Sequence, residues 1–360
     1  MKKIVTAMIA GMMVCSAINA QSLKIVNTFG GDSDSTGGSD LFSFEKQKDE
    51  DGNLKNGFAN TTRVSDRLQM DVSDKYFDAR VRMEVATINL NGKESTMRLR
   101  GYGRFKPVDQ LNIIAGNDFS TKVPVNAGYM AASDDYAKNA RLLQNGFGAV
   151  SNWAFGDEKN ITMNLAGGVK GTDGSFSNKD KLGLDFGFNF AVKNLVSFGG
   201  SFQNVTGNQF TAGVFAGFNA VENLTLNAGY IYNDTDTDYL PKAAKNALMV
   251  TAGYNLKEAG VFAGADVISG LEGDSIPLQI NVRLTYKVND SLTAGVKAKV
   301  STILGSESAL KADVYPNLTY NLQNKMGSVT TGVRVSADKN GVTKFAVPFS
   351  WKCTIAEIKK

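Results

Sequence analysis

Over much of the chain, apolar and polar side chains take turns in runs of nine to eleven residues. In 181–190, Leu182, Leu184, Phe186, Phe188 and Phe190 alternate with Lys181, Gly183, Asp185, Gly187 and Asn189. In 277–286, Leu278, Ile280, Val282, Leu284 and Tyr286 alternate with Gln279, Asn281, Arg283 and Thr285. The same pattern runs through 291–300, with Leu292, Val296 and Val300 apolar, and through 310–320, with Leu310, Val314 and Leu318. A period of two sends successive side chains to opposite faces of a strand, so each run predicts a strand with one apolar face. Strands of soluble sandwiches are mostly about five or six residues long. These runs are too long for that class.

Five strand ends look alike. Phe190, Phe218, Tyr254, Tyr286 and Tyr320 each close a run and are followed by a short polar turn and another alternating run. Their separations of 28, 36, 32 and 34 residues are hairpin-sized, and a meander of hairpins builds an up-and-down barrel. These aromatics are expected at one interface of a membrane, as one of two girdles. On the other side the connections are longer and rich in Gly, Ser, Asp and Lys: 30–57, 117–141, 170–180 and 233–238. Short turns on one side and long loops on the other place the turns in the periplasm and the loops outside.

The signals predict strands near 22–29, 58–72, 76–90, 96–105, 111–118, 145–155, 161–169, 181–190, 195–203, 209–218, 224–232, 246–254, 261–268, 277–286, 291–300, 309–320, 328–336 and 342–355. That is eighteen, an even number that leaves both ends in the periplasm; sixteen is the lower bound of the count. The fold class expected is therefore all-β, a transmembrane up-and-down antiparallel barrel of about 16–18 strands. Either count gives a barrel wide enough for an aqueous channel.

The ends of the chain and its composition sharpen this picture. Lys2 and Lys3 precede an apolar run from Ile4 to Ala17, and Ser16 to Ala20 supplies small residues before Gln21. Residues 1–20 read as a secretory signal peptide with cleavage near Ala20. Cys15 raises lipoprotein processing, but Met12-Met13-Val14 is a poor lipobox. The mature domain is then 21–360, an integral protein of the cell outer membrane, with 30–57 a long external or lumen-inserted loop. Beyond the signal no stretch approaches the roughly 20 apolar residues of a spanning helix. Only helices and closed barrels satisfy every backbone polar group in lipid, so the alternating strands carry the membrane assignment.

Without Lys2 and Lys3 the chain has 37 basic and 35 acidic residues. That balance argues against nucleic acid as a partner. Only Cys353 survives cleavage, so no internal disulfide forms. There is no histidine, which removes the commonest general base, the commonest metal ligand and every Ser-His or Cys-His nucleophile. No catalytic, cofactor or metal constellation is found. Asp234, Asp236 and Asp238 have the spacing of a calcium-loop start but lack its glycine and closing glutamate, and read as a solvated loop.

The signal peptide, the alternating strands, the turn pattern and the aromatic strand ends together resemble bacterial outer-membrane barrels of the general porin type. The resemblance covers most of the mature chain and is one of architecture. It implies passive diffusion of small hydrophilic solutes, contact with outer-membrane lipids, a homotrimer and a loop folded into the channel. The C-terminus departs from the pattern. Phe345, Val347, Phe349 and Trp351 form the expected outward row, yet nine residues follow Trp351. Pro348 falls on the inward row, where a bulge is expected because proline donates no ladder hydrogen bond.

Seven of the ten arginines lie between residues 63 and 104. Arg80, Arg82 and Glu84 alternate with Val81, Met83 and Val85, and Arg98, Arg100, Tyr102 and Arg104 alternate with Leu99, Gly101, Gly103 and Phe105. Arg63 and Arg67 take the same face of the preceding strand, where Asp66 spoils the outward row and suggests a bulge. Arginine facing lipid at mid-depth costs roughly 2–4 kcal/mol, so these nine residues are expected to line the pore. Three adjacent strands then present a basic wall that biases passage towards anions. Neutralisation by Asp71, Asp78 and Glu84, or by an acidic segment at 32–51 folded inside, is the competing reading. Two other functions stay open: a plugged ligand-specific transporter, and a surface adhesin or structural barrel acting through its external loops.

Overall fold

The structure, a computed structural model, describes residues 22–30, 40–47, 55, 57–61, 63–89, 97–116, 121–122, 141–142, 146–156, 158–171, 182–206, 210–234, 240–242, 244–323 and 326–359. Residues 1–21, which include the expected signal peptide, lie outside the described residues, as do most of 31–56, 123–140 and 172–181.

Eighteen antiparallel strands close into one barrel, as counted from the alternation. In chain order they are β1 (Ser22–Phe29, resumed at Asp40–Glu45), β2 (Ala59–Asn60 and Arg63–Ser73), β3 (Phe77–Asn89), β4 (Met97–Val108), β5 (Leu111–Gly116) and β6 (Gly146–Phe155). Next come β7 (Ile161–Gly171), β8 (Leu182–Val192), β9 (Val196–Gln203), β10 (Thr211–Phe218), β11 (Leu224–Asn233) and β12 (Asn246–Leu256). The last six are β13 (Val261–Gly270), β14 (Ile276–Lys287), β15 (Leu292–Leu304), β16 (Ser306–Asn321), β17 (Gly327–Gly332 and Arg334–Asp338) and β18 (Gly341–Lys359). No helix among the described residues is long and apolar enough to cross a membrane, and the crossing is made by strands.

The apolar face of each run points outward. Val250 and Val282 stay exposed although Thr251 and Asn281, one residue away, are buried, and Val296, Val314 and Leu318 are exposed on the same wall. Only lipid makes such an outer wall favourable, because it solvates apolar side chains and offers no partner to a free backbone group. The five aromatic strand ends all lie on this outer wall and are all exposed. Trp351 continues the row, opposite Val329, which itself stands opposite Tyr320. Trp153 joins it through Met163 and Phe190. Tight turns on the same side use residues that tolerate a left-handed backbone: Asn194 at φ 60° after β8 and Asn223 at φ 63° before β11.

The seam joins the two ends of the chain. Ser22 stands opposite Lys359 and Phe29 opposite Trp351, so the residues after Trp351 are wall and not tail. The expectation that the last strand ends by Ile355 is corrected: four further residues complete the ladder with β1, and Ile355 is bulged out where Ile25 and Val26 face Ala356 and Thr354. A second correction concerns 30–57. Asp40–Glu45 is part of the wall and resumes β1 against 344–348 of β18. Phe42-Ser43-Phe44 carries the period-two pattern in miniature, with both rings exposed outward and Ser43 fully buried. The register does shift where bulges are expected, between Val64 and Asp66 and opposite Pro348, but in both places the extra residue is on the facing strand, at 86–87 and at 41.

Two connections turn towards the wall. After β5, Thr121–Lys122 pairs with Arg141–Leu142, and the latter lies against β8 and β9. Between β11 and β12, Leu240 and Ala244 are buried with Phe215, Ile231, Ala247, Met249 and Ile268. Those five are inward positions of β10 to β13, so this segment folds onto the inner face.

Candidate functional site

The inner face of β2, β3 and β4 carries the predicted arginines in register. Arg67 faces Glu84, and Glu84 faces Arg98. Gln69, Arg82 and Arg100 form the next rung, and Asp71, Arg80 and Tyr102 the one after. Ser73, Asp78 and Arg104 follow. The alternation places all of these opposite Leu68, Met83 and Leu99, which are exposed on the outer wall. Arg63 stands in the ladder opposite Asn89, and its side chain lies outside the described residues.

The wall is internally bonded. Arg80 Nε donates to Asp71 Oδ1 at 2.6 Å, and Gln69 Nε2 donates to Asp71 Oδ2 at 2.6 Å. Arg82 donates through Nη2 to Gln69 Oε1 at 3.0 Å. Glu84 has Arg82 and Arg100 each at 3.6 Å, besides Arg67 and Arg98 as ladder neighbours. Asp78 accepts from Ser73 Oγ at 2.6 Å and Lys106 Nζ at 2.9 Å, with Arg104 at 3.6 Å. The Tyr102 ring lies between two guanidiniums, with Cζ of Arg80 and of Arg104 each 5.6 Å from its centroid. Such stacking uses the negative face of the ring to hold cations side by side. Three carboxylates, Asp71, Asp78 and Glu84, thus serve seven cations counted from Arg67 to Lys106.

A second basic group lies on the other side of the seam and was not singled out in the sequence. Arg283 of β14 stands directly opposite Lys297 of β15, and Lys299 opposite Asp313 of β16. Arg334 of β17 is 3.7 Å from Asp313 and stacks on Tyr315, Cζ to centroid 5.2 Å. Ser336 Oγ donates to Asp313 Oδ2 at 2.7 Å. Because β18 pairs with β1, this group and the β2–β4 wall belong to one arc running from β14 through the seam to β4. The facing half is different. Inward positions of β8, β10 and β12 are Gly183, Asp185, Gly187 and Asn189, then Thr211, Gly213, Phe215 and Gly217, then Ala247, Met249, Thr251 and Gly253. Asp185 is the one charged side chain among these and accepts from Asn204 N at 3.0 Å.

The competing reading, an acidic segment at 32–51 folded inside, does not hold where that segment is described, since Asp40–Glu45 is wall. The groups that neutralise part of the arginine charge are the strand carboxylates themselves. Among the described residues no cluster of three or more His, Cys, Asp or Glu side chains is placed to hold a metal. Of the aspartates with calcium-like spacing, Asp236 and Asp238 lie outside the described residues.

An eighteen-stranded closed wall, apolar outside and polar or charged inside, is the architecture of a transmembrane β-barrel wide enough for an aqueous channel. The chain is similar in fold to OccAB4 of Acinetobacter baumannii, with a TM-score of 0.55 at 9% identity over 94% of this chain and 98% of that one. It is also similar to OpdO of Pseudomonas aeruginosa, with a TM-score of 0.56 at 9% identity over 93% and 97%. A third similar structure is OpdQ of Pseudomonas aeruginosa, with a TM-score of 0.55 at 10% identity over 93% and 98%. These Occ and Opd proteins are outer-membrane porins, and at such identity the likeness is one of fold. No protein-family model matches the sequence, and no curated protein matches it.

Proposed function

We propose that the barrel is a porin through which small hydrophilic solutes diffuse passively across the outer membrane, with anions favoured. The observation that carries this is the arc from β14 to β4, where cations outnumber carboxylates on contiguous inner positions. A ring or arc of basic side chains in a low-dielectric wall raises the local concentration of anions. Arg63, Arg67, Arg80, Arg82, Glu84, Arg98, Arg100, Tyr102 and Arg104 line the pore in this reading, with Glu84 the carboxylate that sets spacing among four of the arginines. The role is transport without catalysis or cofactor, and a homotrimer is the assembly that the porin resemblance implies.

A second reading has its own support. Leu240 and Ala244 bury against the inner apolar cluster, so a loop occupies part of the lumen, and a narrowed path favours selected solutes over free diffusion. Swelling of liposomes carrying the folded protein separates the two. General diffusion predicts rates that fall smoothly with solute size, and faster entry of gluconate than of a cation of similar size. Entry of a few solutes regardless of size supports the selective reading. No swelling with verified barrels sinks both.

A further inference from the structure

At the seam the outer wall carries a carboxylate where lipid is expected. Asp66 has the parity of Leu68, which is exposed on the outer wall, and lies midway along β2, between Ala59 and Ser73. Val64 and Leu68 flank it along the strand, and Phe29 and Val85 stand opposite it on either side. An ionisable group at such depth is costly in lipid, and as a rule it pairs with another polar group or faces protein. The neighbouring outer rung adds Asn27, opposite Leu68, and Cys353, opposite Asn27.

Within one chain this patch is half satisfied. Asp66 Oδ1 accepts from Asn27 Nδ2 at 2.8 Å and from Arg67 N at 2.9 Å. Asn27 Nδ2 also donates to Arg67 O at 3.4 Å. Among the described residues nothing donates to Asp66 Oδ2 or to Asn27 Oδ1. The matching donor is on the same face. Trp351 stands opposite Phe29, is 44% exposed, and its indole N–H has no acceptor among the described residues. Phe29 lies between Trp351 and Asp66 on their common rung, so the two do not meet within one barrel.

A face that holds both a free acceptor and a free donor is its own complement when copies meet around a symmetry axis. We propose that the seam, from β18 across β1 to β2, is the face on which a second copy of this chain packs, with the Trp351 indole of one copy donating to Asp66 of the next. Lipid tails offer these atoms no partner. A neighbouring copy does, as polar side chains do between membrane helices. The inference rests on the porin reading, in which the barrel stands in a membrane as an assembly, and it names the face that the assembly uses.

Cys353 makes the contact testable, because in the full chain carrying Cys15→Ser it is the one thiol. Outer membranes holding that protein are treated with a short bismaleimide. Folded barrels, verified by heat-modifiable electrophoretic mobility, are then sized in detergent by light scattering. The expected result is a cross-linked pair and a mass of more than one chain. Asp66→Leu, a substitution that suits lipid, is expected to lower cross-linking by about ten-fold, as loss of a hydrogen bond to a charged group predicts. Moving the thiol to the outer wall of β12, as Val250→Cys with Cys353→Ser, is expected to abolish it. A single-chain mass without cross-linking overturns the proposal, and so does equal cross-linking through Val250→Cys or in Asp66→Leu. The mass and cross-linking at Cys353 need no change in the barrel, so a misfolded variant does not rescue the idea. Conductance on the same preparation separates the two readings. Conductance from single-chain barrels sinks the interface alone, and an assembly without conductance upholds the interface and sinks the pore.

Discussion

Arg80 and Asp71 meet across adjacent strands, guanidinium Nε to carboxylate Oδ1 at 2.6 Å. The pair shows how the barrel keeps many arginines on one wall: Asp71 and Asp78 are each shared by cations and a neutral donor, Gln69 and Ser73, and Glu84 lies between Arg82 and Arg100. Removing the acid therefore releases charge to the lumen. Asp71→Asn and Asp78→Asn are expected to shift the zero-current potential further towards anions. The pair is partly solvated, so the stability lost is only about 1 kcal/mol per site. Equal selectivity in the wild type and both variants contradicts a lumen position for this network.

The inward segment between β11 and β12 is held by apolar contact. Leu240 is 6% exposed against Phe215, Ile231, Met249 and Ile268. Leu240→Ala is expected to lower the stability of that docking by about 2–5 kcal/mol, the usual cost of such a cavity. Trypsin cleavage after Lys242 and Lys245 should then accelerate while the barrel keeps its heat-modifiable mobility. Unchanged cleavage means that the cluster does not hold the segment.

The two faces of one strand give opposite responses to the same residue. Val314 of β16 faces lipid, and Thr319 of the same strand faces inward, where its hydroxyl lies 2.9 Å from that of Thr330. Val314→Arg is expected to destabilise the barrel by roughly 2–4 kcal/mol, and Thr319→Arg by much less. Urea unfolding from lipid vesicles reads both. Similar losses at the two sites contradict the assigned faces.

Local pattern makes most of this legible in the sequence. Alternation in 277–286 and 291–300 dictates both the strands and their outward rows, and the misfit of Asp66 announces the register shift there. What stayed hidden depends on closure. Arg283, Lys297, Lys299 and Arg334 sit one or two to a strand and form no dense cluster in sequence. They join the arginines of β2–β4 only because β18 pairs with β1. Asp40–Glu45 was missed for a different reason. Its short Phe-Ser-Phe alternation is flanked by Gly- and Asp-rich stretches, and its partner, 344–348, lies about three hundred residues away in sequence.

The same seam yields a prediction about assembly. Residues 352–359 supply the ladder for Ser22–Thr28, so a chain that stops at Trp351 leaves much of β1 unpaired in lipid. Unsatisfied backbone groups there cost several kcal/mol each. The truncated protein is expected to fail to reach the heat-modifiable folded form. Normal assembly of that chain contradicts the registered seam.

The most direct test of the central claim is the zero-current potential of single barrels in a planar bilayer under a salt gradient, for the wild type and for Arg98→Gln and Arg100→Gln. The account predicts stepwise conductance with an anion-favouring potential in the wild type, and a shift towards cations in each variant. A cation-favouring wild type, or variants with unchanged potential, contradicts an arginine-lined, anion-preferring pore.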